Sequence, residues 1–159
     1  MAGTFRKIVK MGRYQKALRE LERYKALAFT DPMTGLRTQT WLAENETPAA
    51  YYVYLDLDNF KTVNDKLGHE QGNTTISSFG RYLLENTRKD LDKIRCGGDE
   101  FLIFAESKET AEKILERVSQ WTIEYDDGIT VTVSGGIGKT ISIAEKNMRD
   151  AKAASGKAR

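Results

Sequence analysis

Several features of secreted and membrane proteins are missing from the sequence. Cys96 is the only cysteine, so no disulfide can form within the chain. No apolar run approaches the ~18 residues that a membrane-spanning helix needs. The basic N-terminus lacks the apolar stretch of a signal peptide. We therefore expect a cytoplasmic protein that does not bind membranes.

The residues that are abundant indicate one folded domain. The chain has 159 residues, of which 40% are hydrophobic and 30% charged, which suffices for one core plus one additional element. The net charge of +2 is too small to indicate a nucleic-acid partner. Basic residues gather at both ends, where they fit solvated helix faces or, at the C-terminal end, contacts with phosphates.

Residues 5–29 predict one long N-terminal helix, because they contain no proline and only one glycine. Apolar residues recur at alternating four- and three-residue steps: Tyr14, Leu18, Leu21 and Ala28. Such a stripe is typical of a short coiled coil between two copies, and equally of a helix docked on its own domain. We divide the chain into an N-terminal helix at 1–29, a candidate dimerisation or signalling element, and a domain at 30–159.

Hydrophobic periodicity and turn residues predict the remaining elements. The predicted helices cover 39–46, 59–67, 71–87, 108–120 and 143–154, and the predicted strands cover 50–57, 92–95, 101–106 and 129–134. Strands with helices on one side of the sheet are typical of an α+β fold. We expect a palm-like or ferredoxin-like, antiparallel-centred sheet flanked by helices and preceded by the N-terminal helix.

Two acidic clusters stand at the ends of predicted strands. Asp56 and Asp58 close an apolar strand, and Asp99 and Glu100 follow two glycines at the tip of a predicted hairpin. A buried strand gains nothing by ending in carboxylates unless solvent or a cation meets them. Each cluster alone is common in structural turns. Together they predict a magnesium site, because Mg²⁺ prefers hard oxygen ligands.

The hairpin tip, Gly97-Gly98-Asp99-Glu100-Phe101, resembles the signature of the GGDEF family, the diguanylate cyclases. Further motifs follow in the order of that family: Asp31–Leu36, Asp56–Asp65, Gly68-His69 with Gly72, Arg95, Val131–Gly136, and Ala151-Lys152 with Gly156-Lys157. The resemblance covers roughly residues 28–158. It implies a nucleotidyltransferase that condenses two nucleoside triphosphates into a cyclic dinucleotide and releases pyrophosphate.

The resemblance also implies a homodimer with metal-dependent half-sites. Each subunit binds one GTP, and each 3′-hydroxyl attacks the α-phosphate held by the other subunit. Two Mg²⁺ or Mn²⁺ ions per active site meet the needs of such a phosphoryl transfer. The implied metal ligands are Asp56, the Leu57 carbonyl, Asp99 and Glu100. Asp99 and Glu100 are the implied catalytic residues, and Glu100 is either a ligand or an aid to the 3′-hydroxyl.

By the same resemblance, the nucleotide-binding residues are Phe60, Lys61, Asn64, Asn73, Gly97, Gly98, Lys152 and Lys157. The glycines line the α-phosphate, and the phenylalanine and first lysine lie beside the β- and γ-phosphates. The later lysines add positive charge there, and the asparagines read the base. We assign His69 a capping or packing role and Cys96 a structural role in the hairpin.

Asn73 departs from the family pattern, which usually has aspartate at this position. A carboxylate only accepts hydrogen bonds, which suits the N–H donors of guanine, whereas an amide both donates and accepts. That pattern suits the adenine edge. Two interpretations stay open: base choice is relaxed toward adenine, or Asn73 still binds guanine more weakly.

The family's inhibitory Arg-x-x-Asp motif is degenerate, since only Arg88 is present and Leu91 replaces the aspartate. We therefore expect weak or absent product inhibition. The last predicted helix also departs from the pattern, and one extra residue separates Lys152 from Gly156, which weakens the assignment of Lys157. The alternative to an active cyclase is a degenerate GGDEF module that binds nucleotide or a protein partner without turnover.

Overall fold

A five-stranded sheet organises the chain in the computed structural model, which describes residues 2–45 and 48–156, with side chains from residue 11 onward. The elements are α1 Ala2–Phe29, β1 Arg37–Thr38, α2 Gln39–Glu44, β2 Tyr51–Leu57, α3 Phe60–Leu67, α4 His69–Asn86, β3 Lys93–Arg95, β4 Glu100–Ala105, α5 Lys108–Val118, β5 Ile123–Glu124, β6 Thr130–Val131, β7 Val133–Gly138 and α6 Ile141–Ala154. Most follow the predicted order. Strands β1 and β5 were not predicted.

Strand β2 lies inside the sheet, whose order is β1-β3-β4-β2-β7. It pairs antiparallel with β4 and with β7, and only β1 and β3 run parallel. The short strands β5 and β6 form a separate antiparallel hairpin. This arrangement confirms the predicted α+β fold with an antiparallel-centred sheet and an N-terminal helix.

Helices cover both faces of the sheet. Val53 and Leu55 of β2 belong to the larger core under α3, α4 and α5. Tyr54, which points to the opposite face, packs in a second core with Trp41 of α2 and Met148 of α6. The prediction of helices on one side was therefore wrong. Because β2 is apolar on both faces, each face must be covered.

The predicted strand at 129–134 is two strands, β6 and β7, and β7 continues through three glycines to Gly138. A Cβ at Gly136 would lie 2.1 Å from the Met148 nitrogen, and one at Gly138 would lie 2.4 Å from the Ala144 nitrogen. The backbone of α6 thus lies directly on β7. Glycine usually argues against a strand interior, except where another backbone approaches this closely.

Several helix boundaries differ from the prediction by a few residues. Helix α4 starts at His69 and α6 at Ile141, each two residues early, and α2 ends at Glu44. Position 46, the predicted end of α2, lies outside the described residues. Helix α6 starts after Thr140, whose side chain accepts a hydrogen bond from the Ile143 N–H and so caps it.

Helix α1 presents its apolar stripe to solvent. Tyr14 is 68% exposed, Leu18 43% and Leu21 50%. The C-terminal end of the helix is fixed to the domain by the Thr38 hydroxyl, which donates to the Ala28 carbonyl at 2.6 Å. The domain of the same chain leaves this stripe uncovered. None of the described helices combines the length and apolarity needed to cross a membrane.

Candidate active site

The segments that carry the predicted metal ligands lie side by side at the end of β2. Asp56 lies opposite Glu100 of β4 in the antiparallel register, so the two side chains share a face of the sheet. The Leu57 N–H donates to the Asp99 carbonyl at 3.1 Å, which joins the hairpin tip to the end of β2. The fold therefore brings all four predicted ligand residues, Asp56, Leu57, Asp99 and Glu100, to the same end of the sheet. These four residues form the acidic edge of the site.

Lys152 of α6 lies against these carboxylates. Its side chain is 9% exposed, its Nζ donates to Asp56, and the same nitrogen is 3.6 Å from Asp58 Oδ1. Burial of an ion pair removes hydration from both charges, so the pair must be closely matched to persist. The sequence placed Lys152 beside the phosphates. The structure places it between the acidic strand end and the groove described below.

Asp58 is completely buried and is bound to β7 and the residue before it. The Thr132 hydroxyl donates to one carboxylate oxygen at 2.6 Å, and the Ser134 hydroxyl donates to the other at 2.7 Å. The Asp58 N–H donates to the Thr132 carbonyl at 2.8 Å. This carboxylate fixes the loop after β2. The sequence showed it as part of an acidic cluster and gave no sign of its hydroxyl partners.

The two signature glycines are held by Arg95. Its guanidinium donates to the Gly97 carbonyl at 3.1 Å, to the Gly98 carbonyl at 2.9 Å and to Asp31 at 3.1 Å. Asp31 in turn accepts hydrogen bonds from the backbone and hydroxyl of Thr34. The family motif at residues 31–36 thus holds the hairpin tip in place through Arg95. Both motifs were recognised in the sequence, but the ion pair between Asp31 and Arg95 was not predicted. The opposite charges of the two residues could have indicated it.

Burial alters the acidity of two groups beside the site. It raises the pKa of the Cys96 thiol to about 12, and the charge of Glu100 adds to the effect. It also raises the pKa of the Tyr54 hydroxyl, with further contributions from Cys96 and from a hydrogen bond to Glu100. A thiol that stays protonated is a poor nucleophile. This supports the structural role predicted for Cys96.

A groove of about 660 Å³ opens beside the acidic edge. It is lined by Leu57, Asn59, Phe60, Lys61, Thr62, Asn64, Asp65, His69, Asp99 and Lys152. Its volume falls in the range of small-molecule sites. Five residues predicted to bind metal or nucleotide through their side chains therefore share one cavity wall. His69, predicted to have a capping or packing role, begins α4 and also lines the groove.

The corner between α3 and α4 joins two predicted base-reading residues. A Cβ at Gly72 would lie 2.0 Å from Asn64 Oδ1, so the Asn64 amide occupies the space that a larger residue would need. Asn73 follows Gly72 and is exposed. Gly68, with φ of +85°, makes the sharp turn between the helices. Lys157 lies outside the described residues.

The donor atoms at the acidic edge fit a hard cation such as Mg²⁺. Asp56, Asp99 and Glu100 offer carboxylate oxygens, and Leu57 offers a carbonyl. In the parts of the chain at 2–45 and 48–156, no three acidic, histidine or cysteine side chains already stand around a common ion position. The two-ion ligand set therefore stays a prediction.

Arg88, at the predicted degenerate inhibitory site, is engaged by its own neighbours. Its Nε donates to Asp90 at 3.1 Å, and its terminal nitrogens bind Asp90 and Glu106. The guanidinium lowers the pKa of the Asp90 carboxyl through this hydrogen bond. Leu91 packs partly buried against the core. The charge of Arg88 is thus balanced locally beside an open groove of about 500 Å³.

Comparison with known proteins now gives the family. Residues 28–158 match the family model described as "Diguanylate cyclase, GGDEF domain". Diguanylate cyclase DgcP of Escherichia coli strain K12 is 33% identical over 109 residues, which cover 60% of this chain and 31% of DgcP. DgcZ of the same strain is 31% identical over 124 residues, which cover 69% of this chain and 42% of DgcZ. The cyclic di-GMP phosphodiesterase PdeR of that strain is 36% identical over 109 residues, which cover 64% of this chain and 16% of PdeR.

Solved structures agree with these relatives. The coiled coil and GGDEF domain of DgcB from Caulobacter crescentus, in complex with c-di-GMP, superimposes with a TM-score of 0.69 at 23% identity, over 97% of this chain and 92% of that one. Diguanylate cyclase SiaD from Pseudomonas aeruginosa, in complex with its activator SiaC, gives a TM-score of 0.67 at 25% identity, over 94% and 68%. The chain therefore belongs to the GGDEF diguanylate cyclase family.

Proposed function

We propose that this chain is a diguanylate cyclase-type nucleotidyltransferase that condenses two nucleoside triphosphates into a cyclic dinucleotide. The main support is that the strand ends carrying Asp56, Asp99 and Glu100 lie side by side, with Asp99 lining a groove of nucleotide size. Membership of the family supplies the class of reaction. GTP is the first candidate substrate, because the relatives with a named cyclase activity are diguanylate cyclases.

In the proposed reaction, the 3′-oxygen of one nucleotide bonds to the α-phosphorus of the other. The bond from that phosphorus to the bridging oxygen of the β-phosphate breaks, and pyrophosphate leaves with its electron pair. Glu100 is the candidate acceptor of the hydroxyl proton. Repetition in the second half-site closes the ring and releases a second pyrophosphate. Mg²⁺ or Mn²⁺, when bound, neutralises charge that develops on the phosphates.

The chain's own residues bind and orient the substrate. Lys61 lies in the groove, where a cation can meet the β- and γ-phosphates. Gly98 has nothing within 4 Å of the position where a Cβ would stand, so the backbone at the hairpin tip is open to close approach by a phosphate. Asn64 and Asn73 occupy the α3–α4 corner, where the base is proposed to lie.

The reaction needs two half-sites, and α1 offers a surface through which two copies associate. Its exposed stripe of Tyr14, Leu18 and Leu21 is apolar, whereas Lys16 lies on the opposite side of the helix. Leu21→Glu is expected to shift the protein toward monomer and to reduce turnover at low protein concentration. Sedimentation velocity measures the change, with Lys16→Glu as the matched control. If both variants associated equally, the apolar stripe of α1 would not be the dimer interface.

Base choice is the finer part of the proposal. The Asn73 amide can donate and accept hydrogen bonds, which permits adenine as well as guanine. Incubation with GTP alone, ATP alone and their mixture, followed by mass spectrometry, identifies the product. Adenine in any cyclic product supports relaxed choice, and strict use of GTP shows that Asn73 still selects guanine.

The decisive experiment combines Mg²⁺ or Mn²⁺ with all four nucleoside triphosphates. Mass spectrometry is expected to detect a cyclic dinucleotide and pyrophosphate, and Asp99→Ala is expected to abolish both. One observation favours the alternative, a degenerate module without turnover. Lys152 forms an ion pair with Asp56, a predicted metal ligand. Nucleotide binding by calorimetry without any product from the wild-type chain would favour that alternative.

A further inference from the structure

The β5–β6 hairpin contacts α4 directly behind the turn that carries Asn73. We infer that Tyr125, in this hairpin, is a positioning residue for base recognition: its hydroxyl fixes the turn of α4 that carries Asn73 beside Asn64, which lines the groove. The inference rests on the proposed function, because it assumes that a nucleotide base lies at the α3–α4 corner.

The Thr75 and Tyr125 hydroxyls form a closed ring of hydrogen bonds with Gln71, which contributes both its backbone carbonyl and its side-chain amide. The Thr75 hydroxyl donates to the Gln71 carbonyl at 2.8 Å, which uses its only proton. The Tyr125 hydroxyl, 2.7 Å from the same Thr75 oxygen, is therefore the donor of that bond. Gln71 Nε2 completes the ring by donating to the Tyr125 oxygen at 3.4 Å. Thr75 is completely buried, whereas Gln71 and Tyr125 are half-buried.

Helix geometry places this ring behind Asn73. Gln71 and Thr75 are four residues apart and lie on one face, whereas Asn73 is about 200° around the helix from Gln71. The neighbouring Gly72 faces Asn64, whose amide lies against it. Tyr125 therefore binds one face of the first turns of α4. Another face of the same turns packs against Asn64 at the α3–α4 corner.

The same hairpin is also attached to the loop after β2, at the acidic end of the groove. Asn59 Nδ2 donates to the Thr130 carbonyl at 2.9 Å. Asn59 holds a left-handed conformation, with φ of +61°, which is uncommon for a residue other than glycine. Within the hairpin, the Tyr125 N–H donates to the Ile129 carbonyl at 2.9 Å. The hairpin thus connects the acidic end of the groove with the base end.

This connection predicts an effect that depends on the base. Removal of the Tyr125 hydroxyl loosens the turn that carries Asn73 but leaves Lys61 and the hairpin tip in place. Ligands that carry a base then lose affinity, and ligands that consist of phosphates alone do not. A residue that only supported the fold would affect both kinds of ligand alike.

The test compares Tyr125→Phe with Tyr82→Phe, a matched control. Tyr82 is also half-buried, and its hydroxyl donates to the Arg117 carbonyl at 3.0 Å near the far end of α4. Calorimetry with Mg²⁺ measures the affinity for α,β-methylene GTP, α,β-methylene ATP and inorganic tripolyphosphate. For Tyr125→Phe we expect about a three- to tenfold loss toward the better nucleotide, the scale of one hydrogen bond, and no change toward tripolyphosphate.

A second variant makes the test independent of any single substitution. Thr75→Val keeps the shape of the side chain, removes the central hydroxyl and is expected to show the same selective loss. Unchanged nucleotide affinity in both variants overturns the inference, and so does a parallel loss toward tripolyphosphate. If the wild-type chain binds neither nucleotide, the proposed function fails and the inference falls with it.

Discussion

Two regions of the molecule collect charged side chains from distant segments, and they do so differently. At the end of β2, Lys152 and Asp56 form an ion pair whose side chains are 9% and 6% exposed. Beyond the end of β4 and before β3, Arg88, Asp90 and Glu106 form a cluster whose side chains are 57%, 64% and 48% exposed. The first cluster coincides with the motifs of the family, and the second with a motif that is incomplete.

The difference shows how burial turns a charge pattern into a defined site. Water cannot satisfy the buried carboxylates, so fixed protein groups do so: the Thr132 and Ser134 hydroxyls donate to Asp58, and Lys152 donates to Asp56. At the exposed cluster, water can replace any partner. The charge of Arg88 is therefore balanced by Asp90, Glu106 and water without an aspartate at position 91.

The largest effect is expected when the buried cation is removed. Lys152→Met keeps the length of the side chain and leaves Asp56 without its ammonium partner. We expect a loss of about 3–5 kcal/mol in the free energy of unfolding, as for other broken buried pairs. Chemical denaturation measures it directly. Stability equal to that of the wild type would contradict the idea that buried Asp56 depends on Lys152 for its compensating charge.

Magnesium sharpens the same experiment. A divalent cation at Asp56 would replace the missing ammonium, so Mg²⁺ is expected to stabilise Lys152→Met more than the wild type. The matched substitution Arg88→Met lies in the exposed cluster and is expected to show no such dependence on Mg²⁺. An equal response of all three proteins would argue against a cation site at Asp56.

An intermediate effect is expected at Gly72. A Cβ there would lie 2.0 Å from Asn64 Oδ1, so Gly72→Ala must displace the Asn64 amide. We expect a loss of about 1–3 kcal/mol in the free energy of unfolding, the range for overpacking, together with weaker nucleotide binding. Gly98→Ala is the control for the fold, since its Cβ would meet nothing within 4 Å. We expect this control to fold normally and to lose nucleotide affinity only.

The sequence predicted what local patterns encode. The apolar run of β2 and the glycines of the hairpin tip lie where expected. The family motifs also predicted that Asp56 and Asp99 would lie together, and backbone pairing at Leu57 brings their segments side by side. These features depend on residues close together in the chain or on a pattern that several motifs share.

Features that depend on close tertiary contact were not predictable. The predicted strand at 129–134 stopped before the glycines of β7, and the close approach of α6 explains why glycines continue the strand. Lysine is normally a surface residue, so the burial of Lys152 follows from how α6 packs on the sheet. The ring of Tyr125 and Thr75 joins residues 50 positions apart, and no local periodicity signals it.

The smallest effect on stability is expected when Arg88 is replaced in the exposed cluster. This substitution tests whether exposed ion pairs contribute little to the free energy of unfolding. Arg88 lowers the pKa of Asp90, so the ion pair contributes stability above the ordinary carboxyl range and loses it as pH falls and the carboxyl protonates. Because water screens the pair, Arg88→Met is expected to differ little from the wild type at neutral pH. Any difference should shrink further in acid and in salt. Denaturation at several pH values measures this dependence, and a difference that grows in acid would contradict it.

Product binding gives the final test of the Arg88 region. With Arg88 already paired to Asp90 and Glu106, a cyclic dinucleotide must break those ion pairs, and Leu91 offers no carboxylate to its base at position 91. We expect calorimetry with cyclic di-GMP to show no site tighter than about 1 µM, or −8 kcal/mol, and no change in Arg88→Met. A tighter site that disappears in this variant would show that exposure does not prevent Arg88 from binding product. The contrast between the two charged regions would then concern stability alone.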